Sequence, residues 1–524
     1  MAKVKTSVHF KNYNPSELLL LPTNLGDMIG EDDLVRVVSE MVDRWDISGL
    51  INQYSGAGTS SYHPRMLLKV LLYAYSCKLF TGRKIARALR TDIHFMWISA
   101  HNRPNFRTIN NFRSGRAKET IESLFTEMLK CLLEDKYVTM ENYFCDGSTF
   151  LSNGNPNKII WKTTAKRYKL IAEEKCIELF KQIDELNAAE DKLYGNHDLE
   201  ETGDQSHESK EDKNAERTKK FNALIEKSTD AKRKKHAIRL KKELQEQEEK
   251  ISKYNKQITT AGERSGFNTT DTDATGMRMK DGRLMAGYNI LAGCEKQMII
   301  NCSVHQNTND ATCFKDHVEQ LEELSPVMPK NVVADSIYGT EENYELLENK
   351  EINNYLKYPS LHKEEKTRYK PEPFSNPCFN FNALDDTYIC PNEKVLRFTG
   401  QQKSEKKKSG HQSTIKIYKC DNCSGCPFYR ECCGPDDHTN RELRINQKLD
   451  LYKKQAAENL HSPIGWWLRK QRNVEVESCF GDIKQNMGIR RCNLRGIQKV
   501  KADFCLISMA HNLRKIHLLQ VNVA

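Results

Sequence analysis

The sequence predicts a mixed α/β protein. A sheet covered by helices on both faces follows an all-α N-terminal domain, and a long charged helical insertion and a Cys-rich subdomain interrupt it. Three observations predict this. Apolar spacing of three and four runs through residues 1–135. From 138 the period shifts to short β-branched and aromatic runs that alternate with amphipathic helical segments. Between 166 and 260 both patterns yield to Lys, Glu, Gln and Asp.

The chain has 524 residues, too many for one compact core, so several domains are expected. Lys and Arg total 81 against 71 Asp and Glu, a net charge of +10, modest enough that its distribution matters more than its sum. The longest apolar stretch, MLLKVLLYAY at 66–75, is too short for a bilayer and contains Lys69; no N-terminal run fits a signal peptide. A soluble intracellular protein without a membrane partner is expected. Most of the 17 cysteines, such as Cys77, Cys145, Cys302 and Cys505, stand singly in apolar contexts, which suits reduced thiols.

Composition and period place boundaries at 1–135, 136–165, 166–260, 261–370, 371–450 and 451–524. Helices are expected at 31–44, 64–78, 81–90 and 116–134, with Pro64, Gly82 and Pro104 as breaks. RKIARALRTDIHFMWI and RPNFRTINNFR read as short helices meeting at tight turns, with Arg83, Lys84, Arg87, Arg107 and Arg113 along them. That pattern suits a small DNA-binding module as well as an ordinary bundle with a basic surface. YVTMENYFCDGSTF suits a strand closed by Asp146. The insertion reads as two long charged helices, 166–194 and 214–258, forming a hairpin with a flexible tip at 194–214.

Strands resume in GRLMAGYNILAGCEKQMIINCSVHQ, two of them joined by a turn at Glu295 and Lys296. An amphipathic helix at 309–324, begun by Asn309 and Asp310, precedes the short strand NVVADS, which ends at Asp335. A helix at 341–351 and a strand at 352–359 follow.

Asp146 and Asp335 thus both close strands, and carboxylates leaving neighbouring strands at one sheet edge can converge. A third arm lies in EVESCFGDIK, 475–484, read as an amphipathic helix with Glu475, Glu477 and Lys484. Lys484 lies seven residues after Glu477, two turns at about 3.6 residues each, so both point one way. Arg490, Arg491, Arg495, Lys499 and Lys501 follow. Three converging carboxylates repel unless a cation sits among them, and hard oxygen ligands select Mg²⁺ or Mn²⁺. Two such ions can drive phosphoryl displacement on a phosphate backbone gripped by the basic segment. Taken singly, each acid also reads as a turn, a cap or a solvated helix face.

YKCDNCSGCPFYRECC holds overlapping CxxC spacings. Cys420, Cys423, Cys426 and Cys432 would suit a structural zinc, with Cys390 a distant candidate and Cys433 adjoining. Reduced structural cysteines and a redox-sensitive patch are the other readings.

The sequence resembles the DDE transposases of bacterial insertion sequences. The resemblance rests on SYHPRMLLKVLLYAY, RKIARALRTDIHFMW, FCDGSTF with IIWK, TDTDATGM, GYNI, VVADSIYG and VEVESCFGDIKQNMGIRRCNLRG, and spans nearly the whole chain except the insertion. It implies an RNase H-like catalytic domain. Asp146, Asp335 and Glu477 would be the acids holding divalent ions, and Lys484 the basic residue that favours Glu477 over Glu475. A tyrosine and an arginine often precede that glutamate; here position 473, the arginine's place, is asparagine, with Arg472 beside it. Tyr338 matches an aromatic position expected to pack.

The implied reaction is cleavage at a transposon end, leaving a 3′-hydroxyl that attacks target DNA. Arg83, Lys84, Arg87 and Arg107 would bind double-stranded DNA ends, and Lys484, Arg490, Arg491 and Arg495 would grip phosphates. A homodimer or higher oligomer on DNA is implied, in a bacterial cytoplasm at the nucleoid. Two other classes stay open: a non-catalytic transposase-derived DNA-binding protein, and an RNase H-like nuclease without joining activity.

Overall fold

The computed structural model describes residues 24–54, 61–194, 231–279, 281–407, 409–434 and 440–522. The chain divides into two compact units. One comprises Met1–Thr139, Leu324–Pro326 and Phe504–Ala524, the other Met140–Glu323 and Val327–Asp503.

The first unit is helical. Its principal N-terminal helices are α1 (Leu34–Asp43), α2 (Pro64–Ser76), α3 (Gly82–Thr91), α4 (Ile93–Ile98), α5 (Phe106–Ser114) and α6 (Ile121–Glu134). Side chains begin most of them by accepting orphan backbone N–H groups: Asp33 for α1, Thr81 for α3, Asp92 for α4 and Asn105 for α5. The expected single helix at 116–134 is instead Arg116–Glu119 followed by α6, broken at Thr120. The sequence grouped 451–524 with the catalytic part, whereas Phe504–Ala524 clusters with these helices. Leu506, Ile507, Met509, Ala510, Leu513 and Ile516 there are all buried, and Asn512 reaches Met128 of α6.

The second unit is built on a six-stranded mixed sheet. Its strands are β1 (Asn142–Leu151), β4 (Thr275–Arg278), β5 (Leu284–Glu295), β6 (Met298–His305), β7 (Asn331–Ala334) and β8 (Asn353–Leu356). Strand β5 runs antiparallel to β1 on one side and to β4 and β6 on the other, while β7 and β8 run parallel to β1. This is the mixed, helix-flanked arrangement expected. The β5–β6 turn forms at Lys296 and Gln297, both with positive φ, as a tight hairpin whose twist matches its strands requires. Asn331 donates to Asn142, and Asn353 to Asn331, an amide ladder that fixes the register of β1, β7 and β8.

The insertion leaves this sheet through a two-stranded stem, β2 (Ile159–Trp161) with β3 (Gly266–Asn268). Helices α7 (Lys162–Tyr194) and α8 (Ala231–Ala261) form the expected hairpin. Cys176, Leu179, Phe180 and Ile183 of α7 pack on Leu240 and Leu244 of α8, and Tyr168 stacks on Tyr254. The tip expected at 194–214, beyond Tyr194, and the 214–230 part of the second expected helix lie outside the described residues.

Helices α9 (Asp310–Leu324) and α10 (Glu341–Asn349) follow β6 and β7. A five-stranded antiparallel sheet then occupies the Cys-rich part, in the order β13 (Glu442–Ile445), β12 (Thr414–Cys420), β11 (Val395–Lys403), β10 (Thr387–Ile389), β9 (Asn380–Asn382). No periodicity in the sequence marks these strands: β9, β10 and β13 have only three or four residues, and β11 carries a largely exposed polar face. Helices α11 (Gln447–His461), α12 (Pro463–Gly481) and α13 (Ile497–Val521) complete the chain. Ser462 caps α12 and Pro463 occupies its first turn, where a missing N–H costs nothing.

Candidate active site at the end of the parallel ladder

Strand β1 does not stop at Asp146 as expected. It runs on to Leu151, with Asp146 opposite Ala292 of β5. Asp-Gly reads as a turn, but Thr149, Phe150 and Leu151 favour extended pairing, and β5 is long enough to supply it. On the other side the ladder to β7 ends at Phe144 and Val333. Asp146 therefore lies just past the last paired residue, and Asp335 directly follows β7 as expected. Parallel pairing brings both carboxylates to the same sheet end.

Gly147 follows, and a Cβ there would lie 2.6 Å from the Asp310 carboxylate. Only glycine lets α9 begin this close to β1. Asp310, read from sequence as a helix start, is thus a third acid near the site. It accepts a hydrogen bond from Asn289, and its charge is felt at Asp146. Burial raises the Asp146 carboxyl above its usual range; Arg472 opposes this, while Asp310 and Asp335 add to it. Burial likewise raises Asp310.

Arg472 of α12 reaches between the two strand-end acids. Its Nη2 lies 3.1 Å from Asp146 Oδ2 and 3.6 Å from Asp335 Oδ2. The guanidinium is buried and its Nε has no partner among the described residues. In the sequence Arg472 stands beside the asparagine at 473, the place where the family pattern has an arginine. A buried arginine needs partners that offset its desolvation, and here the two strand-end carboxylates supply them.

The two glutamates of α12 separate sharply. Glu475 is buried, and its carboxylate accepts the backbone N–H of Gln297 at 2.5 Å, pinning the β5–β6 turn. Glu477 is exposed. It lies about 140° around the helix from Arg472 and about 7.5 Å along it. Asp146 and Asp335 are thus brought together through Arg472, whereas Glu477 stands on the solvent side of the same helix. Among the described residues, no three His, Cys, Asp or Glu side chains are arranged around a single ion position.

The expectation that Glu477 and Lys484 share a face assumed an uninterrupted α-helix. A π-helical turn, Asp482–Asn486, replaces it and widens the spacing. Lys484 turns to β1, donating to Ser148 Oγ at 2.5 Å and Thr149 O at 3.0 Å, with its ammonium 4.4 Å from the Phe150 ring centre. Ser148 lies two residues from Asp146, on the same sheet face.

The basic residues behave differently from one another. Arg491 is exposed yet bonds the carbonyls of Ser152 and Gly154, and Arg495 bonds that of Asn153, so both brace the loop after β1. Arg490 is exposed and bonds Gln485. In the helical unit Arg83, Lys84, Arg87 and Arg107 are all exposed, and Arg83 and Arg107 lie over the same Phe106 ring. Arg113 departs from that row: it is buried and bonded to Tyr75, Phe80 O and Asn110. Tyr338 is buried against Phe314, the packing role expected of it.

The thiols Cys420, Cys423, Cys426 and Cys432 line one small pocket, and Cys390 and Cys433 line it with them. No helix among the described residues is long and apolar enough to cross a membrane.

A family model described as a transposase DDE domain matches residues 389–517, and one described as a transposase domain (DUF772) matches 23–115. The first span contains Glu477, Lys484 and the thiol pocket, and the second contains Arg83 to Arg107; Asp146 and Asp335 fall between them. No curated protein and no solved structure matches the chain.

Proposed function

We propose, for a chain whose two family matches make it a DDE transposase of an insertion sequence, that it cuts DNA at the ends of its element and joins them to target DNA. The observation that carries this reading is the pair of carboxylates, Asp146 and Asp335, held at one end of the parallel β1–β7 ladder around a positive charge. Their oxygens are hard donors, and a guanidinium already stands where they require a cation; both features fit Mg²⁺ or Mn²⁺.

Asp146, Asp335 and Glu477 would hold the ions. Bound there, divalent ions supply an activated water and stabilise the leaving oxygen of a phosphodiester. Glu477, exposed between anchored Arg472 and anchored Lys484, is free to swing; Glu475 is already committed to Gln297. Lys484 and Arg472 set how α12 lies on β1, and so where Glu477 is carried. Arg490, together with the unbonded donors of Arg491 and Arg495, would meet backbone phosphates, adding affinity and salt dependence rather than sequence choice. Arg83, Lys84, Arg87 and Arg107 would hold the transposon end. Joining two ends requires at least two copies on DNA. A location at the nucleoid of a bacterial cytoplasm accords with such a substrate.

The test is a cleavage and joining assay with an end-bearing duplex and Mg²⁺ or Mn²⁺. Metal-dependent nicking followed by joining of a pre-cut 3′-hydroxyl end is the expected result. Nicking without joining would make the chain a nuclease, and binding without nicking a DNA-binding derivative.

A further inference from the structure

The thiol pocket of the five-stranded sheet has no part in that chemistry. Six sulfurs border it: Cys390 from the β10–β11 turn, Cys420 ending β12, Cys423 and Cys426 from the next loop, and Cys432 and Cys433 from the short helix Tyr429–Cys433. The sequence suggested the local run Cys420–Cys432 with Cys390, thirty residues upstream, as a distant candidate; the pairing of β10, β11 and β12 carries Cys390 to that run.

Three of the sulfurs receive N–H donors. The backbone N–H of Lys394 donates to Cys390 Sγ at 3.2 Å, that of Arg441 to Cys423 Sγ at 3.3 Å, and the Asn392 amide to Cys426 Sγ at 3.5 Å. N–H groups aimed at sulfur favour thiolate over thiol. The turns that aim them are themselves fixed. Cys390 and Lys394 bond through their backbones at 2.9 Å, Gly425 takes the positive φ the Cys423–Cys426 turn needs, and Asn440 bridges Cys423 N–H and Asp421 O.

Positive charge gathers there too. Arg441 borders the pocket and bonds Cys432 O, with its Nε lacking a partner among the described residues; Lys394 Nζ bonds the carbonyls of Asn422 and Ser424. Three sulfurs remain, those of Cys420, Cys432 and Cys433. Cys420 donates to Asn422 O, and Cys432 and Cys433 stand side by side on the short helix Tyr429–Cys433. The hydrophobic cluster beneath contains only eight buried residues, two of them cysteines, so this sheet has little apolar core of its own.

We propose that Cys390, Cys423, Cys426 and Cys432 bind one structural Zn²⁺, releasing four thiol protons, and so tie the β10–β11 turn to the β12–β13 connection. Four thiolates leave no open position, so the ion holds the fold and takes no part in cleavage. All four residues line the one pocket, although no three of their side chains surround a single ion position in this structure.

The full chain, purified under reducing conditions, should contain one zinc per chain by elemental analysis, released by a mercurial and read with a zinc dye. Cys390→Ser and Cys423→Ser should each lose the zinc. Cys420→Ser should keep it, as should Cys378→Ser, whose thiol packs on the same cluster without lining the pocket. Where a variant fails to fold, cobalt substitution of the unaltered chain should give the absorption of a tetrahedral tetrathiolate. Absence of zinc, two ions per chain, or zinc lost from Cys420→Ser but kept in Cys390→Ser would each overturn the proposal.

Discussion

Two ligand clusters lie within one compact unit, and they are built on opposite principles. The acidic centre takes Asp146, Asp335 and Arg472 from positions up to 326 residues apart and brings them together by strand order. The thiol pocket takes five of its six sulfurs from fourteen consecutive residues and needs the fold mainly for Cys390. The first holds hard oxygens whose mutual repulsion calls for a cation that can exchange; the second holds soft sulfurs that suit a permanent one. A catalytic site must admit substrate and ion at the surface, so its ligands sit at a sheet end. A structural site can be closed within a loop cluster.

The largest effect that would break this contrast is on cleavage. Asp335→Ala should abolish metal-dependent nicking while leaving the zinc content unchanged, measured on the same preparation. Loss of zinc together with nicking would show the two centres to be one folding unit.

Next comes Arg472. Removing it leaves Asp146 and Asp335 without their cation; both carboxylates are partly exposed, so the cost falls below the roughly 3–5 kcal/mol of a fully buried pair. Arg472→Ala should therefore lower the melting temperature, and Mn²⁺ should restore more of it than Mn²⁺ adds to the unaltered chain. An equal metal response in both would show that the acids do not share an ion.

The two glutamates give a smaller, sharper comparison. Glu475→Gln removes a charged acceptor from Gln297 N–H and should cost about 1–3 kcal/mol by denaturant unfolding while nicking persists. Glu477→Gln should leave stability within about 0.5 kcal/mol, as surface changes do, and eliminate nicking. The reverse pattern would move the third acid to Glu475.

The smallest effect is a difference in pH response. Behind β1, His317 is bonded to Tyr143 and Ser303, and burial lowers it to about 3; His305 is lowered to about 4. Both stay neutral in the fold and would charge near 6.5 when unfolded. Their contribution is fully present above 6.5 and is lost as pH falls toward their folded values. Asp146 and Asp310, raised from 3.8, act with the opposite sign: the stability they contribute at low pH is lost as pH rises through their folded values. Between pH 6.5 and 4 the histidine part should weaken the six-stranded sheet against the opposing carboxyl part, and His317→Gln should remove that part of the slope seen by hydrogen exchange.

Much of this was legible because it is local. The β5–β6 hairpin, the α7–α8 pair and the placement of Asp335 after β7 follow from period and turn chemistry within a few residues. Tertiary context overrode local signals elsewhere. Asp146-Gly147 reads as a strand end, yet β5 extends the strand past it. Lys484 reads as two turns from Glu477, yet a π-helical turn redirects it. Arg113 reads as one of a basic row, yet it is buried as a brace.

The sequence by itself determined which residue types were available and where along the chain: two strand-associated aspartates, a glutamate-bearing helix and a dense run of cysteines. Those are consequences of composition and spacing. Tertiary structure alone decided that Arg472 lies between the aspartates, that Glu475 is spent on a turn, and that Asp310 crowds Gly147. Each depends on strand order or helix rotation, which bring together residues whose separation along the chain carries no sign of their contact.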